Sequence, residues 1–155
     1  MTPATASIQE YLRKAGVQFQ LVPHAPAFTA QEEAAKAHVP GCDWAKVVIC
    51  FADHQPIEAV LPAPYFVDLE RLRILANAGE IRLARENEFT SLFPDCEPGA
   101  MPPLGPLYHQ PVFVDRRLAD DHEIVFDAGS HTEAVRMRYA DFAALVQPVV
   151  GTFSH

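Results

Sequence analysis

Two nearly continuous apolar stretches, Trp44–Ala52 and Ile57–Leu61, are separated only by Asp53-His54-Gln55-Pro56. Runs without polar alternation mark strands covered on both faces, so this pair predicts a hairpin in the middle of the fold. Everything else must be arranged as layers around it. The 155 residues suit one compact core, and a content of 49% hydrophobic and 21% charged residues excludes a chain that is mainly disordered.

Helical and turn signals flank the hairpin. Ser7-Ile-Gln-Glu10 reads as a capping box ahead of Tyr11, Leu12 and Ala15, with Gly16 ending the helix. Val17–Val22 alternates as a strand until Pro23 and Pro26. Thr29-Ala-Gln-Glu32 is a second capping box, opening an Ala-rich helix to about His38. Asp68 caps a helix carrying Leu69, Leu72 and Leu75, Ile81–Ala84 is a short strand, and Glu86–Phe93 forms two helical turns that Pro94 terminates. Pro94, Pro98, Pro102, Pro103, Pro106 and Pro111 then stiffen one long loop. Val112–Val114, Glu123–Phe126 and Ala134–Arg138 are further strands, and Asp141–Val146 is a last helix. Strands that arrive both as hairpins and after helices predict a mixed α/β (α+β) single domain over residues 1–155, with one mostly antiparallel, mixed central sheet of about six to seven strands surrounded by helices.

Charge and cysteine usage narrow the function classes. With 12 Lys and Arg against 20 Asp and Glu, the formal net charge of -8 argues against an extended grip on nucleic acid, DNA included. Cys42, Cys50 and Cys96 form no CxxC pair, which fits a reducing, cytoplasmic setting. The chain start carries no basic and apolar leader, and no window approaches a membrane span, so a soluble protein is expected.

Three features stand out as chemistry. Lys46 is the only charge in Trp44–Ala52. Its ammonium must pair with an acid, snorkel to water, or line a cleft that receives an anion. Gly99-Ala-Met-Pro-Pro-Leu-Gly105 brackets two prolines with glycines and no charge. It is either a plain turn or a stiff loop whose amides face a ligand. Asp127-Ala-Gly-Ser-His-Thr-Glu133 sets His131 between two strands. Ser130 and His131 are adjacent and would point apart, so a serine-hydrolase triad is disfavoured. No HExxH, H-x-H or calcium-loop spacing is present, and no metal or other cofactor is expected. A surface or structural role is expected for the other histidines, with His24 the exception to watch. The acidic groups Glu86, Glu88, Asp95 and Glu97, and the pair Asp120-Asp121, read as solvated faces. Arg71, Arg73, Arg82 and Arg85 are the densest basic cluster, either an RNA-facing patch or a solvated surface.

In order and spacing these features resemble the YbaK/prolyl-tRNA synthetase-associated domain family of aminoacyl-tRNA deacylases. The resemblance rests on His24-x-Pro26 before the Thr29-Ala-Gln-Glu helix, Ala45-Lys46-Val47-Val48, and Gly99-x-x-x-Pro103. Phe126-Asp-Ala-Gly-Ser-His131 and Met137-Arg-Tyr-Ala-Asp-Phe142 complete it, so that it runs from His24 to Phe142. It implies a free-standing trans-editing enzyme that hydrolyses the ester of a small misacylated amino acid on tRNA. The implied partners are the 3′ CCA end of an aminoacyl-tRNA and, secondarily, a synthetase. The implied catalytic residues are Lys46, Gly99 and His131; Phe28, Ala100, Met101, Pro103, Gly129 and Ser130 are the implied substrate-binding residues. Val47 departs from the Thr or Asn that many relatives carry after the lysine. A non-catalytic module using the same cleft is the alternative. An aminoacyl ester is already activated, so oriented water and preorganised donors, with help from the substrate's ribose hydroxyl, suffice for such chemistry.

Overall fold

The computed structural model describes residues 2–155. In chain order the elements are α1 (Pro3–Lys14), β1 (Phe19–Pro23), α2 (Ala30–Lys36), β2 (Ala45–Ala52), β3 (Gln55–Pro62), α3 (Leu69–Leu75), β4 (Ile81–Leu83) and α4 (Glu86–Leu92). They are followed by β5 (Val112–Asp115), α5 (Arg116–Ala119), β6 (Glu123–Ser130), β7 (Glu133–Arg138), α6 (Tyr139–Val146) and β8 (Val149–Gly151). The mixed α/β class is as expected. The eight strands, however, divide between a three-stranded sheet, β1-β7-β6, and a five-stranded sheet, β4-β2-β3-β5-β8.

The central hairpin is β2–β3, antiparallel from Ala45 opposite Pro62 to Ala52 opposite Gln55. Its turn puts both Asp53 and His54 at positive φ, as a tight hairpin turn requires. Both faces are covered, which accounts for the unbroken apolar runs. Val60, Val112 and Val114 turn toward Ile124, Phe126, Val135 and Met137 of the small sheet, with Ile8, Leu12 and Phe142 closing the layer. On the opposite face, Cys50, Ile57, Ala59, Leu61 and Phe113 pack with Leu72 of α3 and Phe153. Complete burial of an aliphatic side chain such as Leu61 contributes about 1.5–3 kcal/mol. One residue in this strand contradicts its surroundings: Glu58 is fully buried, neither carboxyl oxygen is hydrogen-bonded, and burial pushes its carboxyl well above the ordinary range.

Local expectations divide by mechanism. The Thr29 box forms, with Thr29 Oγ1 accepting from the Glu32 amide at 3.1 Å. Asp68 caps α3 in the same way through the Arg71 amide. The Ser7 box does not form: α1 begins earlier, with Pro3 in its first turn and Thr2 Oγ1 accepting from the Thr5 amide, so that Ala4, Ile8 and Leu12 are its buried face. The strand expected from Val17 starts only at Phe19. Helix α5 and strand β8 are additions, both organised by Asp115. Its buried carboxylate accepts from the amides of Arg117, Phe153 and Ser154 and so ties the chain end to the large sheet.

Candidate functional site

The loop after α4 and the end of β6 form one unit. Strand β6 departs from regular pairing with β7 between Asp127 and Ser130, and Gly129 sits there at φ +90°. A Cβ on Gly129 would lie 2.6 Å from that of Ala4, so both the conformation and the space demand glycine. The irregularity frees backbone groups for the loop: the Glu97 amide donates to Gly129 O at 2.8 Å, and the Gly129 amide donates to Ala100 O at 3.0 Å. Gly99 has φ +83°, and its α-carbon faces the His131 ring; a Cβ there would meet His131 Cε1 at 3.5 Å.

His131 fastens this unit from the other side. Its backbone amide donates to Glu97 Oε2 at 3.1 Å, and Nε2 lies 2.7 Å from Pro98 O. A carbonyl only accepts, so Nε2 carries a hydrogen. Nδ1 lies 3.3 Å from Glu33 Oε1, and the largely exposed Phe28 ring rests on the imidazole with centroids 6.1 Å apart. Both ring nitrogens are thus engaged. Ser130 is buried and its hydroxyl meets Thr132, not His131, in keeping with the expected absence of a Ser–His pair. Ala100 and Met101 are buried, and Pro103 is buried with them.

The amides of this loop are not equivalent. That of Ala100 donates to Glu97 O at 3.0 Å. Those of Gly99 and Met101 donate to no backbone or side-chain acceptor among the described residues. A stiff loop with two uncommitted donors is suited to receive a carbonyl or oxyanion.

Lys46 lies on β2, opposite Leu61. Its Nζ donates to Ala63 O at 3.1 Å and rests 4.9 Å from the centre of the exposed Phe66 ring. No carboxylate lies within ion-pair distance of it among the described residues, and burial holds its ammonium below the ordinary value. It is therefore half-buried and without a counter-ion among the described residues. The next residues of β2, Val47 and Ile49, line a cleft of about 180 Å³ with Ala84, Phe89 and Met101. Val47 and Met101 bring β2 and the glycine loop together at this apolar cleft, whereas the Lys46 side chain leaves β2 on the opposite face, toward Ala63 and Phe66, and lines no part of it. A larger groove of about 760 Å³ lined by Arg13, Gln20, Arg136 and Arg138 shares none of the expected site residues.

Other candidate groups are committed elsewhere. Arg71, Arg73 and Arg82 pair with Asp68, Glu70 and Glu88, which leaves little free charge for an RNA backbone. Burial pushes Cys50 up to about 12 and Cys96 up to about 11, so neither is a thiolate at neutral pH. Sequence reasoning missed the groups behind His131. Glu33 reads as part of a polar helix face but is almost fully buried, and Asp127 reads as a strand end but is buried beside it. Desolvation, then the nearby Glu33 carboxyl, pushes the Asp127 carboxyl well above its ordinary range. Phe66 carried no signal other than being an isolated aromatic.

Comparison with known proteins fits this geometry. The sequence model of a family described as "Aminoacyl-tRNA editing domain" matches residues 24–145. Among solved structures, the hypothetical protein APE2540 superposes with a TM-score of 0.85 at 22% identity, covering 96% of this chain and 99% of that one. A structure described as "a putative trans-editing enzyme for prolyl tRNA synthetase" gives a TM-score of 0.83 at 20% identity, covering 100% of this chain and 99% of that one. At these identities the superpositions establish the fold. A search of the curated proteins finds no significant match. No helix among the described residues is long and apolar enough to cross a membrane. On the match over residues 24–145, which is most of its length, the chain belongs to the aminoacyl-tRNA editing domain family.

Proposed function

We propose that this protein is a trans-editing deacylase that hydrolyses the ester between a small misacylated amino acid and the 3′ end of a tRNA. The observation that carries the reading is the loop 97–101, held by the β6 irregularity and by His131, with the Gly99 and Met101 amides uncommitted. Lys46 binds the terminal phosphodiester as an unpaired cation. The amides of Gly99 and Met101 receive the ester carbonyl and stabilise the oxyanion that forms as water attacks. The 180 Å³ cleft between Val47 and Met101 takes the aminoacyl side chain, and its apolar lining favours a small aliphatic one.

In this reading His131 is a positioning residue. With Nε2–H given to Pro98 O and Nδ1 facing Glu33, its ring offers no lone pair to a water, and it fixes the loop carbonyl next to Gly99. Proton transfer falls to water and to the substrate's vicinal hydroxyl, which sits beside the ester carbon in any aminoacyl-tRNA. Phe28, Gly129 and Ser130 shape the wall around His131. Only the aminoacylated end is gripped, which reconciles the net charge of -8 with an RNA substrate.

The test is amino-acid release from a broad panel of mischarged tRNAs. Turnover of at least one small aliphatic aminoacyl-tRNA is expected. Cleavage of none, with binding retained, would leave a non-catalytic module and overturn the enzyme reading.

A further inference from the structure

Behind His131, three atoms with lone pairs point into one buried volume. His24 Nδ1 lies 2.9 Å from Ala25 O, which only accepts, so Nδ1 carries the hydrogen and Nε2 of the neutral ring presents its lone pair inward. Nε2 lies 3.8 Å from Glu33 Oε2, and one ligand atom each from His24, Glu33 and Asp127 lie within 4.8 Å of one another. His24 Nε2, Glu33 Oε2 and Asp127 Oδ1 are all buried and have no hydrogen-bond partner. The His24 and Glu33 side chains are 0% and 2% exposed. Like partial charges facing one another in the interior require something positive between them.

We propose that His24, Glu33 and Asp127 form a binding site for a divalent transition cation of the Zn²⁺ type. The charges balance, because two carboxylates and a neutral imidazole cancel the ion's two positive charges. One nitrogen and two carboxylate oxygens suit Zn²⁺ better than Mg²⁺ or Ca²⁺, which favour six or more oxygen ligands. The three ligands come from the segment after β1, from α2 and from β6, so the fold itself brings them together. Ligand atoms about 2.0–2.2 Å from a tetrahedral ion stand roughly 3.3–3.5 Å apart, so the cluster closes by about an ångström on binding. The surrounding bonds are those that orient metal ligands: Nδ1–H of His24 on a backbone carbonyl, and the second Glu33 oxygen on His131 Nδ1. Trp44 meets the His24 ring edge-on at 5.7 Å and shields the site. The ion's role is structural: it fixes Glu33, and through it the ring that holds the Gly99 loop. The site is independent of the deacylase reading.

Full-length protein, stripped with chelator, is titrated calorimetrically with Zn²⁺ at neutral pH, and bound metal is counted after gel filtration. One equivalent with a rise in Tm is expected, and Co²⁺ at the same stoichiometry should give the visible bands of a four- or five-coordinate centre. Asp127→Asn and Glu33→Gln, nearly isosteric, should each weaken uptake about tenfold or more, while His54→Ala, on the exposed His54–Glu80 pair, should not. Two isosteric variants keep the test open if one fails to fold. No uptake by the wild type overturns the proposal and assigns the space to a shared proton. Uptake unchanged in both variants overturns it too, placing the ion on the surface.

Discussion

The β2–β3 hairpin and the joined segments 97–101 and 127–131 are each two stretches of chain bonded to each other, yet they are held by opposite means. The hairpin is regular, apolar on two faces and fixed by packing. The loop pair is irregular, carries two glycines at positive φ, and is fixed by individual hydrogen bonds from Glu97, Gly129 and His131. Packing tolerates local change and sets stability; directional bonds tolerate little and set geometry. The proposed site draws Lys46 from the packed side and Gly99 from the bonded side.

That contrast breaks if substitutions on the two sides act alike. The largest loss of stability is expected from Leu61→Ala, which empties a fully buried site and should lower stability by about 2–5 kcal/mol in denaturant titration. Under the deacylase proposal, the residual folded protein should keep its rate of amino-acid release. Gly129→Ala comes next at about 2–4 kcal/mol, because it adds a strained φ to a close approach on Ala4, and it should disturb both stability and turnover. Gly99→Ala should cost only about 1–2 kcal/mol, since the space beside His131 accepts a methyl group, yet lower turnover roughly a hundredfold by moving the amide donors. Equal, small effects on stability and rate at Gly99 would show that the loop is a plain turn.

Glu58→Gln sharpens the comparison from the packed side. Glu58 stays neutral in the folded protein, while in the unfolded chain it ionises above about pH 4.3. Its folded-state value is raised, so stability is fullest below that pH and declines as pH rises toward the folded value. The variant should match the wild type near pH 4 and exceed it by of order 1–3 kcal/mol at pH 8. A constant difference across that range would contradict a buried neutral carboxyl. The smallest effect is that of salt: gripping one or two phosphates predicts only a few-fold weakening between 50 and 200 mM.

The fold was legible wherever one residue type decides the outcome locally. The apolar runs, the Thr29 and Asp68 caps and the Pro94 stop each act within a few residues. Ser7 misled because Thr2 and Pro3 offer an earlier start that places Ala4, Ile8 and Leu12 inward. Helix α5 is a single turn that Asp115 caps locally through the Arg117 amide, and β8 is three residues long in a chain end that the same carboxylate ties down through Phe153 and Ser154, about forty positions away. At the site, Lys46, Gly99 and His131 were visible as exceptions to their surroundings. Glu33, Asp127 and the Pro98 carbonyl were not, because acids on a short helix and at a strand end look solvated until tertiary packing brings them together.

The central claim is that an unpaired cation on a packed strand serves a bond-held loop, and Lys46→Ala tests it most directly. Removing the side chain strands no carboxylate and opens no sealed cavity, so Tm should move little. Single-turnover deacylation of the preferred mischarged tRNA by wild type and variant, read beside their melting curves, should show a loss of roughly a hundredfold in rate at nearly equal Tm. A rate within twofold of the wild type, or a loss that merely follows a fall in Tm, would contradict the account.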